Sequence, residues 1–286
     1  MISVVQLGTV DYATGLSLQQ KLVALRKEEK IGDVLLLLEH VPVITLGRNA
    51  KGANVLATPE ILAQRGVELF ECDRGGDVTF HGPGQIVGYP IFDLRGFAAS
   101  DGKRKTLGVI EFVRRLEDIL MRTCADFAIP TKRISGLTGV WTDLGAATGH
   151  VGTGAHARPV ERSSAEELTA NEHAEAKLAA IGVHISRSVT SHGFALNVNT
   201  DLSFFNLIVP CGITTKPVTS MQKELGEELD LNAVAESISR NFGVVFQSQI
   251  LWVDTLDALL GCTVGVPMKP PTELRKIRGD DETAWA

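Results

Sequence analysis

The sequence has little of what marks several protein classes. Its four cysteines, at positions 72, 124, 211 and 262 of 286 residues, contain no C-x-x-C pair. That scatter argues against a disulfide framework and gives no support to a structural zinc site. The most obvious unbroken apolar run, residues 34–38, is far shorter than the ~20 residues that a membrane helix needs. We therefore expect no metal centre, no disulfide scaffold and no membrane partner.

An excess of basic charge is also missing. The chain has 28 Lys+Arg against 34 Asp+Glu, a formal net charge of −6, so bulk electrostatics give no reason to bind nucleic acid. The first residues lack the basic region and apolar stretch of a signal peptide, and we expect a cytoplasmic protein. Hydrophobic residues make up 44% and aromatic residues 6% of the chain, which is typical of an ordinary globular enzyme.

Apolar periodicity predicts the fold class. Leucines at helical spacing predict a helix over residues 16–29, and the apolar run that follows predicts a buried strand. Helices separated by several adjacent strands indicate an α/β (α+β) fold, a mixed sheet flanked by helices. Further strands are predicted at 41–46, 67–72, 77–80, 86–94, 139–142, 178–185, 189–199 and around 207–209, and further helices at 107–127 and 232–241.

Composition also predicts the domain organisation. Residues 1–250 are predicted to form a single domain, and residues 251–286 a C-terminal extension. Residues 145–176 are rich in alanine, glycine and glutamate and poor in large aliphatic side chains, which predicts a flexible surface insertion. The three histidines of this segment lack the spacing of a known metal motif, so we interpret them as polar residues of a loop.

A glycine-rich stretch, residues 74–85, is the densest candidate for a binding loop. It reads R-G-G-D-V-T-F-H-G-P-G-Q. Glycine permits positive φ and removes the Cβ that would block a ligand, while Pro83 stiffens the turn. Backbone N–H groups in such a loop can bind an oxyanion or a carbonyl oxygen. The same composition also fits a hairpin without a ligand, and this stretch alone leaves both interpretations open.

Cys211 and Lys177 are the candidates for covalent chemistry. Cys211 lies between proline and glycine at the end of the predicted 207–209 strand, where a loop can present a nucleophilic thiol at a cleft. A lone cysteine is more often a small buried hydrophobic residue. Lys177 opens the apolar run 178–183, where it can pair with a thiolate or extend into solvent. Each residue alone leaves its role open.

Several motifs occur in a fixed order along the chain. They are R-G-G-D-x-T-F-H-G-P-G-Q-x-V-G-Y-P from residue 74, G-V-W from 139, K-x-A-A-I-G from 177, S-H-G-F-A-L-N from 191 and P-C-G-I from 210. In these motifs, and in E-H-V-P-V-I-T-L-G-R from residue 39, the chain resembles the octanoyltransferase family, also called lipoate-protein ligase B or lipoyl(octanoyl) transferase. The resemblance runs from about Tyr12 through the helix near 240. It departs from the family at 145–176, usually a short turn, and beyond about Leu251.

The resemblance implies an acyltransferase that carries out the first step of endogenous protein lipoylation. Such enzymes take an octanoyl group from octanoyl-acyl carrier protein onto a cysteine as a thioester. They then pass it to a lysine of a lipoyl domain, in 2-oxoacid dehydrogenases or in the glycine cleavage H protein. The implied fold is the biotin/lipoate protein ligase catalytic-domain type. We expect no cofactor and a monomeric enzyme.

The resemblance also assigns site residues. Cys211 is the implied acyl-thioester nucleophile, and Lys177 tunes it, either as a charged partner of the thiolate or as a general base. The implied substrate-binding residues come from three motifs: Arg74, Gly75, Gly76, Asp77, Val78, Thr79, Phe80 and His81; Ala180, Ile181 and Gly182; and Gly193, Phe194 and Ala195.

Two alternatives stay open at this point. One is an ATP-dependent lipoate or biotin ligase of the same fold, which activates a free acid and needs no nucleophilic cysteine. The other is a non-catalytic relative that binds acylated carrier protein. The presence of Cys211 and Lys177 in their motifs argues against both.

Overall fold

The computed structural model describes residues 1–99, 106–143 and 175–260. These residues form a large mixed sheet covered by helices on both faces, with a small second sheet beside it. The strands are β1 (Ile2–Val10), β2 (Asp33–His40), β3 (Val43–Leu46), β4 (Glu68–Glu71), β5 (Val78–His81), β6 (Gln85–Ile91), β7 (Thr131–Ile134), β8 (Leu137–Thr142), β9 (Lys177–Ser186), β10 (Val189–Asn197) and β11 (Ile250–Trp252). The helices are α1 (Tyr12–Lys27), α2 (Pro59–Gln64), α3 (Val109–Asp126), α4 (Met221–Leu225), α5 (Leu231–Phe246) and α6 (Leu256–Leu260).

The large sheet has the order β11-β1-β2-β6-β10-β9-β8-β7. β1 is parallel to β2 and β11, and the remaining neighbours pair antiparallel. The small sheet has the order β4-β3-β5. The mixed sheet predicted from the spacing of the elements is therefore confirmed.

The apolar run of β2 shows how the two faces are covered. Successive side chains of a strand point to opposite faces. Leu35 and Leu37 join the core under α3 and α5, which is rich in phenylalanine, whereas Val34, Leu36 and Leu38 join the core under α1. A run without polar interruption is what a strand buried on both faces requires.

Helix α1 begins four residues earlier than its leucine pattern predicts. The Asp11 side chain accepts a hydrogen bond from the Thr14 backbone N–H at 2.8 Å and caps the helix at Tyr12. An aspartate N-cap satisfies one of the free N–H groups of the first turn. The capping residue, and not the first leucine, therefore sets the helix start.

The strand predicted around residues 207–209 is wrong. Residues Leu202–Leu207 form a 3₁₀ helix, and Ile208 makes only an isolated bridge to Val55. Phe205, Leu207 and Ile208 are apolar because they pack against the small sheet. Strands β1, β7 and β11 and helices α2, α4 and α6 were not predicted at all.

Part of the predicted insertion at 145–176 and most of the predicted extension at 251–286 lie outside the described residues. Strand β11 crosses the predicted boundary at residue 250 and pairs with β1 in the large sheet. Thr142, at the end of β8, and Ala176, just before β9, are joined by two hydrogen bonds. The Thr142 N–H donates to the Ala176 carbonyl at 2.9 Å, and the Ala176 N–H donates to Thr142 Oγ1 at 2.9 Å. We refer to this closed pair as the neck.

Candidate active site

Cys211 lies in a tight turn, Pro210–Gly212, and not at the end of a strand. Its φ is +55°, in the left-handed region that few non-glycine residues adopt. Asn54 and Asp77 pack against the turn. The Val209 N–H donates to the Asn54 carbonyl at 2.8 Å, and Asn54 Nδ2 donates to Asp77 Oδ2 at 2.6 Å. A Cβ on Gly212 would lie 2.7 Å from that carboxylate oxygen. The thiol is thus presented by a turn that its surroundings fix.

Lys177 is the first residue of β9, one residue before the predicted strand 178–185, and it is 7% exposed. Its N–H donates to the Pro217 carbonyl at 2.8 Å, and its carbonyl accepts from the Thr219 N–H at 3.0 Å. Lys177 Nζ donates to Cys211 Sγ at 3.2 Å. The two residues singled out for covalent chemistry therefore touch.

Two residues of β8 form the socket of this lysine. Lys177 Nζ lies 5.2 Å from the centroid of the Trp141 ring, a distance at which an ammonium group is attracted to the aromatic face. On the other side, a Cβ on Gly139 would come within 2.8 Å of Lys177 Cε. In the G-V-W motif, Trp141 therefore supplies an aromatic face for the lysine, and Gly139 lacks the Cβ that would clash with it.

A pocket of about 50 Å³ runs from Cys211 along the β9–β10 hairpin. Twelve of the fourteen predicted substrate-binding residues line it, namely Arg74, Gly75, Gly76, Asp77, Thr79, His81, Ala180, Ile181, Gly182, Gly193, Phe194 and Ala195. In the hairpin, Ala180 pairs with Ala195 and Gly182 with Gly193. The alanine pair leaves room in the pocket for an unbranched apolar ligand, whereas the glycine pair allows neighbouring backbone to pack closely on the strands.

Val78 and Phe80 are the two that the structure places elsewhere. They pack in the core between the small sheet and residues 202–208, where Phe80 stacks on Phe204 at 4.7 Å between ring centroids. The period of two in β5 explains this division. Thr79 and His81 face the pocket, and the alternate residues, Val78 and Phe80, face away from it.

Arg74 and Asp77 shape the glycine loop from within. The guanidinium of Arg74 is largely buried and donates to the Thr45 carbonyl at 2.8 Å and to Thr45 Oγ1 at 3.0 Å. A Cβ on Gly182 would lie 2.6 Å from the Gly75 carbonyl oxygen, so the loop crosses β9 in close contact. Asp77 Oδ1 accepts the backbone N–H groups of Val78 at 2.7 Å and of Lys51 at 3.2 Å. Both charged side chains therefore bind backbone groups, and the glycines allow the loop to approach β9.

His81 and His40 are buried and neutral beside this pocket. The Gln85 amide N–H₂ donates to Phe80 and Asn197, so its oxygen accepts the proton on His81 Nδ1 at 2.7 Å. Burial lowers the pKa of His81 to about 3 and that of His40 to about 4.

The far end of the pocket is a wall of rings that the sequence does not predict. Tyr12, Tyr89 and His192 line it. His40 Nδ1 donates to the Val10 carbonyl at 2.7 Å, which leaves His40 Nε2 to accept the Tyr89 hydroxyl at 2.6 Å. Burial raises the pKa of both tyrosines far above the usual range, so they stay neutral. Tyr89 and His192 belong to motifs of the sequence, but neither is among the predicted substrate-binding residues.

The other described cysteines lie outside this pocket. Cys72 is half-buried in a neighbouring groove with Asp73 and His184, and its thiol donates to the Leu46 carbonyl at 3.4 Å. Cys124 is fully buried in α3, and burial raises the pKa of its thiol to about 12. Of the three thiols that the structure describes, Cys211 is the one in contact with a lysine Nζ.

The sequence matches a family model and curated relatives over most of its length. Residues 11–243 match the model described as "Lipoyl protein ligase A/B catalytic domain". The octanoyltransferase of Koribacter versatilis is 56% identical over 281 residues, 98% of either chain. The octanoyltransferase of Acidobacterium capsulatum is 52% identical, over 91% of this chain and 96% of the relative. The chain belongs to the octanoyltransferase family. The predicted family and enzyme class are thereby confirmed.

Solved structures place the octanoyltransferase fold among lipoate ligases. A bipartite lipoate protein ligase from Thermoplasma acidophilum superposes with a TM-score of 0.61 at 13% identity, over 91% of this chain and 90% of that one. A lipoate-protein ligase A bound with ATP gives a TM-score of 0.59 at 12% identity, over 89% of each chain. At such identities the likeness concerns the fold alone, which agrees with the predicted ligase-type architecture. None of the helices within the described ranges is both long and apolar enough to cross a membrane.

Proposed function

We propose that the protein transfers an octanoyl group from octanoyl-acyl carrier protein to a lysine of lipoyl domains, through a thioester on Cys211. The contact between Lys177 Nζ and Cys211 Sγ at 3.2 Å carries this proposal. An ammonium group beside a thiol favours the thiolate, which is the nucleophilic form. The family relatives named octanoyltransferase support the acyl group.

In the first half-reaction, the Cys211 thiolate attacks the carbonyl carbon of the octanoyl thioester. A bond from Cys211 Sγ to that carbon forms, and the bond to the carrier's sulfur breaks. The departing thiolate takes a proton, for which Lys177 is the nearest donor. Thioester exchange replaces one carbon–sulfur bond with another, so this step needs no ATP.

In the second half-reaction, a lysine amine of the lipoyl domain attacks the acyl-enzyme. The amide bond forms, the bond from the acyl carbon to Cys211 Sγ breaks, and the amine loses a proton. Lys177, neutral after the first proton transfer, is placed to accept that proton. The cycle then ends in the starting pair of ammonium group and thiolate.

The pocket along the hairpin is the proposed site of the acyl tail. About seven carbons of an octanoyl group lie beyond the carbonyl, and burial is worth about 0.8 kcal/mol for each, or up to about 6 kcal/mol. The small side chains of Ala180 and Ala195, which line the pocket together with Cys211, leave the space that a straight chain needs. Backbone and small apolar side chains line the middle of the pocket, which suits a ligand without polar groups.

Acceptor proteins of the 2-oxoacid dehydrogenases and the glycine cleavage system belong to this proposal, as does a monomeric enzyme. The cytoplasm is the proposed compartment. The three cysteines within the described ranges are free thiols, which fits a reducing environment.

Incubation with octanoyl-acyl carrier protein in the absence of ATP tests the proposal. We expect intact-mass spectrometry to show one octanoyl adduct, peptide mapping to place it on Cys211, and a lipoyl domain added later to remove it. An adduct on Cys72 would contradict the assignment of the nucleophile. Transfer that requires free octanoate and ATP would instead identify a ligase.

A further inference from the structure

Glu117 is a fully buried carboxylate on α3, and nothing in the proposed chemistry accounts for it. Its side chain is 0% exposed. Arg114 donates to Glu117 Oε2 at 2.7 Å and Arg133 Nε donates to the same oxygen at 2.9 Å. The other oxygen, Oε1, accepts the backbone N–H of Gly139 at 3.2 Å. Burying a carboxylate is costly unless it is paired, so the position of this one calls for a role.

Gly139 lies where β8 departs from regular pairing. The register between β7 and β8 shifts between Lys132 and Ile134, so that residues 138–140 of β8 lie opposite Arg133 alone, and Gly139 has φ +126°. At such a bulge the ladder is interrupted, and a backbone N–H needs a partner from outside the sheet. Glu117 Oε1 is that partner.

The bulge matters because Gly139 forms one wall of the lysine socket. A Cβ at this position would lie 2.8 Å from Lys177 Cε and 2.5 Å from the Ala179 carbonyl oxygen. The Gly139 backbone therefore packs directly on the lysine side chain. A small shift of this wall changes the space in which Lys177 reaches Cys211.

We propose that Glu117 is a positioning residue for Lys177, acting through its hydrogen bond to the bulged backbone of Gly139. The inference rests on the proposed function, in which Lys177 serves Cys211. Arg114 and Arg133, whose side chains are 49% and 36% exposed, neutralise the carboxylate. Both can be solvated without it, so the hydrogen bond to Gly139 is what the buried oxygen supplies to the site.

Two conservative variants separate the hydrogen bond from the charge. Glu117→Asp keeps the charge but is shorter by one carbon–carbon bond, about 1.5 Å, and no longer reaches the Gly139 N–H. Glu117→Gln keeps the reach and an acceptor oxygen but removes the charge. If positioning depends on the hydrogen bond, the glutamine variant functions and the aspartate variant does not.

Two readouts report on the site. The first is the rate at which iodoacetamide alkylates Cys211, which depends on the lysine–thiol contact and needs no acyl donor. The second is kcat and KM for octanoyl transfer. For Glu117→Asp we expect both the alkylation rate and kcat to fall about 10- to 100-fold with KM within about threefold, and for Glu117→Gln both rates to stay within about threefold of wild type.

Asp126→Asn is the matched control on the same helix. Asp126 accepts hydrogen bonds from Ser237, Arg240 and Asn241 of α5, away from β8. It is expected to lower the thermal midpoint and leave the alkylation of Cys211 unchanged. Any result in which Glu117→Asp alkylates and turns over at least as fast as Glu117→Gln overturns the inference. If the wild type forms no octanoyl adduct, the proposed function fails, while the alkylation rates still decide the role of Glu117.

Discussion

The two ends of the pocket are built in opposite ways. At one end, Cys211 has a positive φ, lies in a turn fixed by neighbouring side chains, and contacts the Nζ of Lys177. At the other end, Tyr12 and Tyr89 line the pocket, His40 hydrogen-bonds to Tyr89 from behind, and burial keeps all three rings neutral. The reactive end, at Cys211, combines two ionisable side chains with an uncommon backbone conformation. The rings at the other end, which we call the closed end, are neutral.

This difference follows from what each end must do. A thiolate needs a cation and a fixed direction of attack, and such geometry is maintained only when surrounding contacts enforce it. An apolar tail needs a space from which water and charge are absent. Changes at the first end should therefore affect rate, and changes at the second should affect which substrate is used and how stable the fold is.

The largest effect is expected from Cys211→Ser. A serine hydroxyl ionises too weakly for this site to activate, so octanoyl transfer should fall to background with the fold intact. Single-turnover assays with octanoyl-acyl carrier protein, together with circular dichroism, measure both. Cys72→Ser is the matched control, because Cys72 is also half-buried but lies in the neighbouring groove. Loss of transfer in the Cys72 variant would contradict the assignment of Cys211, and not Cys72, as the reactive thiol.

Lys177→Ala should have the next largest effect. Removal of the amine takes away the cation beside the thiolate and the acid–base group, so transfer should slow by about 10²- to 10⁴-fold. Alkylation of Cys211 measured against pH should shift its midpoint upward relative to wild type. Lys177→Arg should keep much of the alkylation profile, since the charge remains, yet transfer poorly, because arginine cannot release the proton. If Lys177→Ala shows the same alkylation profile as wild type, Lys177 does not tune Cys211.

A smaller effect is expected where the two ends meet. Ala180 lines the pocket between Cys211 and the ring wall, and Ala180→Leu fills space that the tail occupies. Exclusion of about three methylene groups costs about 2.4 kcal/mol of binding free energy. The variant's preference for an octanoyl over a butanoyl thioester should therefore be roughly 50-fold lower than that of wild type. Rates of adduct formation with the two donors measure this preference. Equal loss with both donors would mean that the substitution disturbs the reactive end instead.

The smallest effect concerns stability at the closed end. The pKa of His40 is lowered by burial to about 4, below its unfolded value near 6.5, so the folded state takes up this proton only at lower pH. The free energy of unfolding should therefore fall as pH drops from about 6.5 towards 4, by about 1.4 kcal/mol per pH unit for this group, and be unaffected above pH 7. His81, with a pKa of about 3, adds a similar dependence.

Urea unfolding of wild type and His40→Gln at pH 7.5 and pH 5.0 isolates the contribution of His40. Glutamine retains a donor for the Val10 carbonyl but does not titrate, so the variant should lose less stability on acidification than wild type. If both proteins lose the same free energy, His40 does not remain neutral in the folded state.

The reactive pair could be predicted because its evidence lies in motifs. Lys177 opens an apolar run and Cys211 lies between proline and glycine, and the resemblance to a family connected them across 34 residues of sequence. The mixed sheet followed from the spacing of apolar runs. Within β5, the period of two could also have separated Thr79 from Val78 and Phe80, since alternate residues face opposite sides of a strand.

Other features could not be inferred from local pattern. On a helix, Arg114 and Glu117 look like an exposed i,i+3 ion pair, yet Glu117 is fully buried because β8 packs over it. Tyr12 lies at a helix start, where no pattern announces a pocket wall. The run at 207–209 resembled a strand because packing under a turn demands the same apolar residues as packing in a sheet. In each case, tertiary contacts determine the role.

The neck between Thr142 and Ala176 fixes the spacing between the end of β8 and the start of β9. Both strands that meet there are aligned by pairing on the sheet side, and Lys177 is held independently by residues 217 and 219. The backbone of Lys177 is thus held by contacts that lie entirely within the described residues. These contacts would keep the two strand ends at the same spacing in a chain that carried a different connection between them.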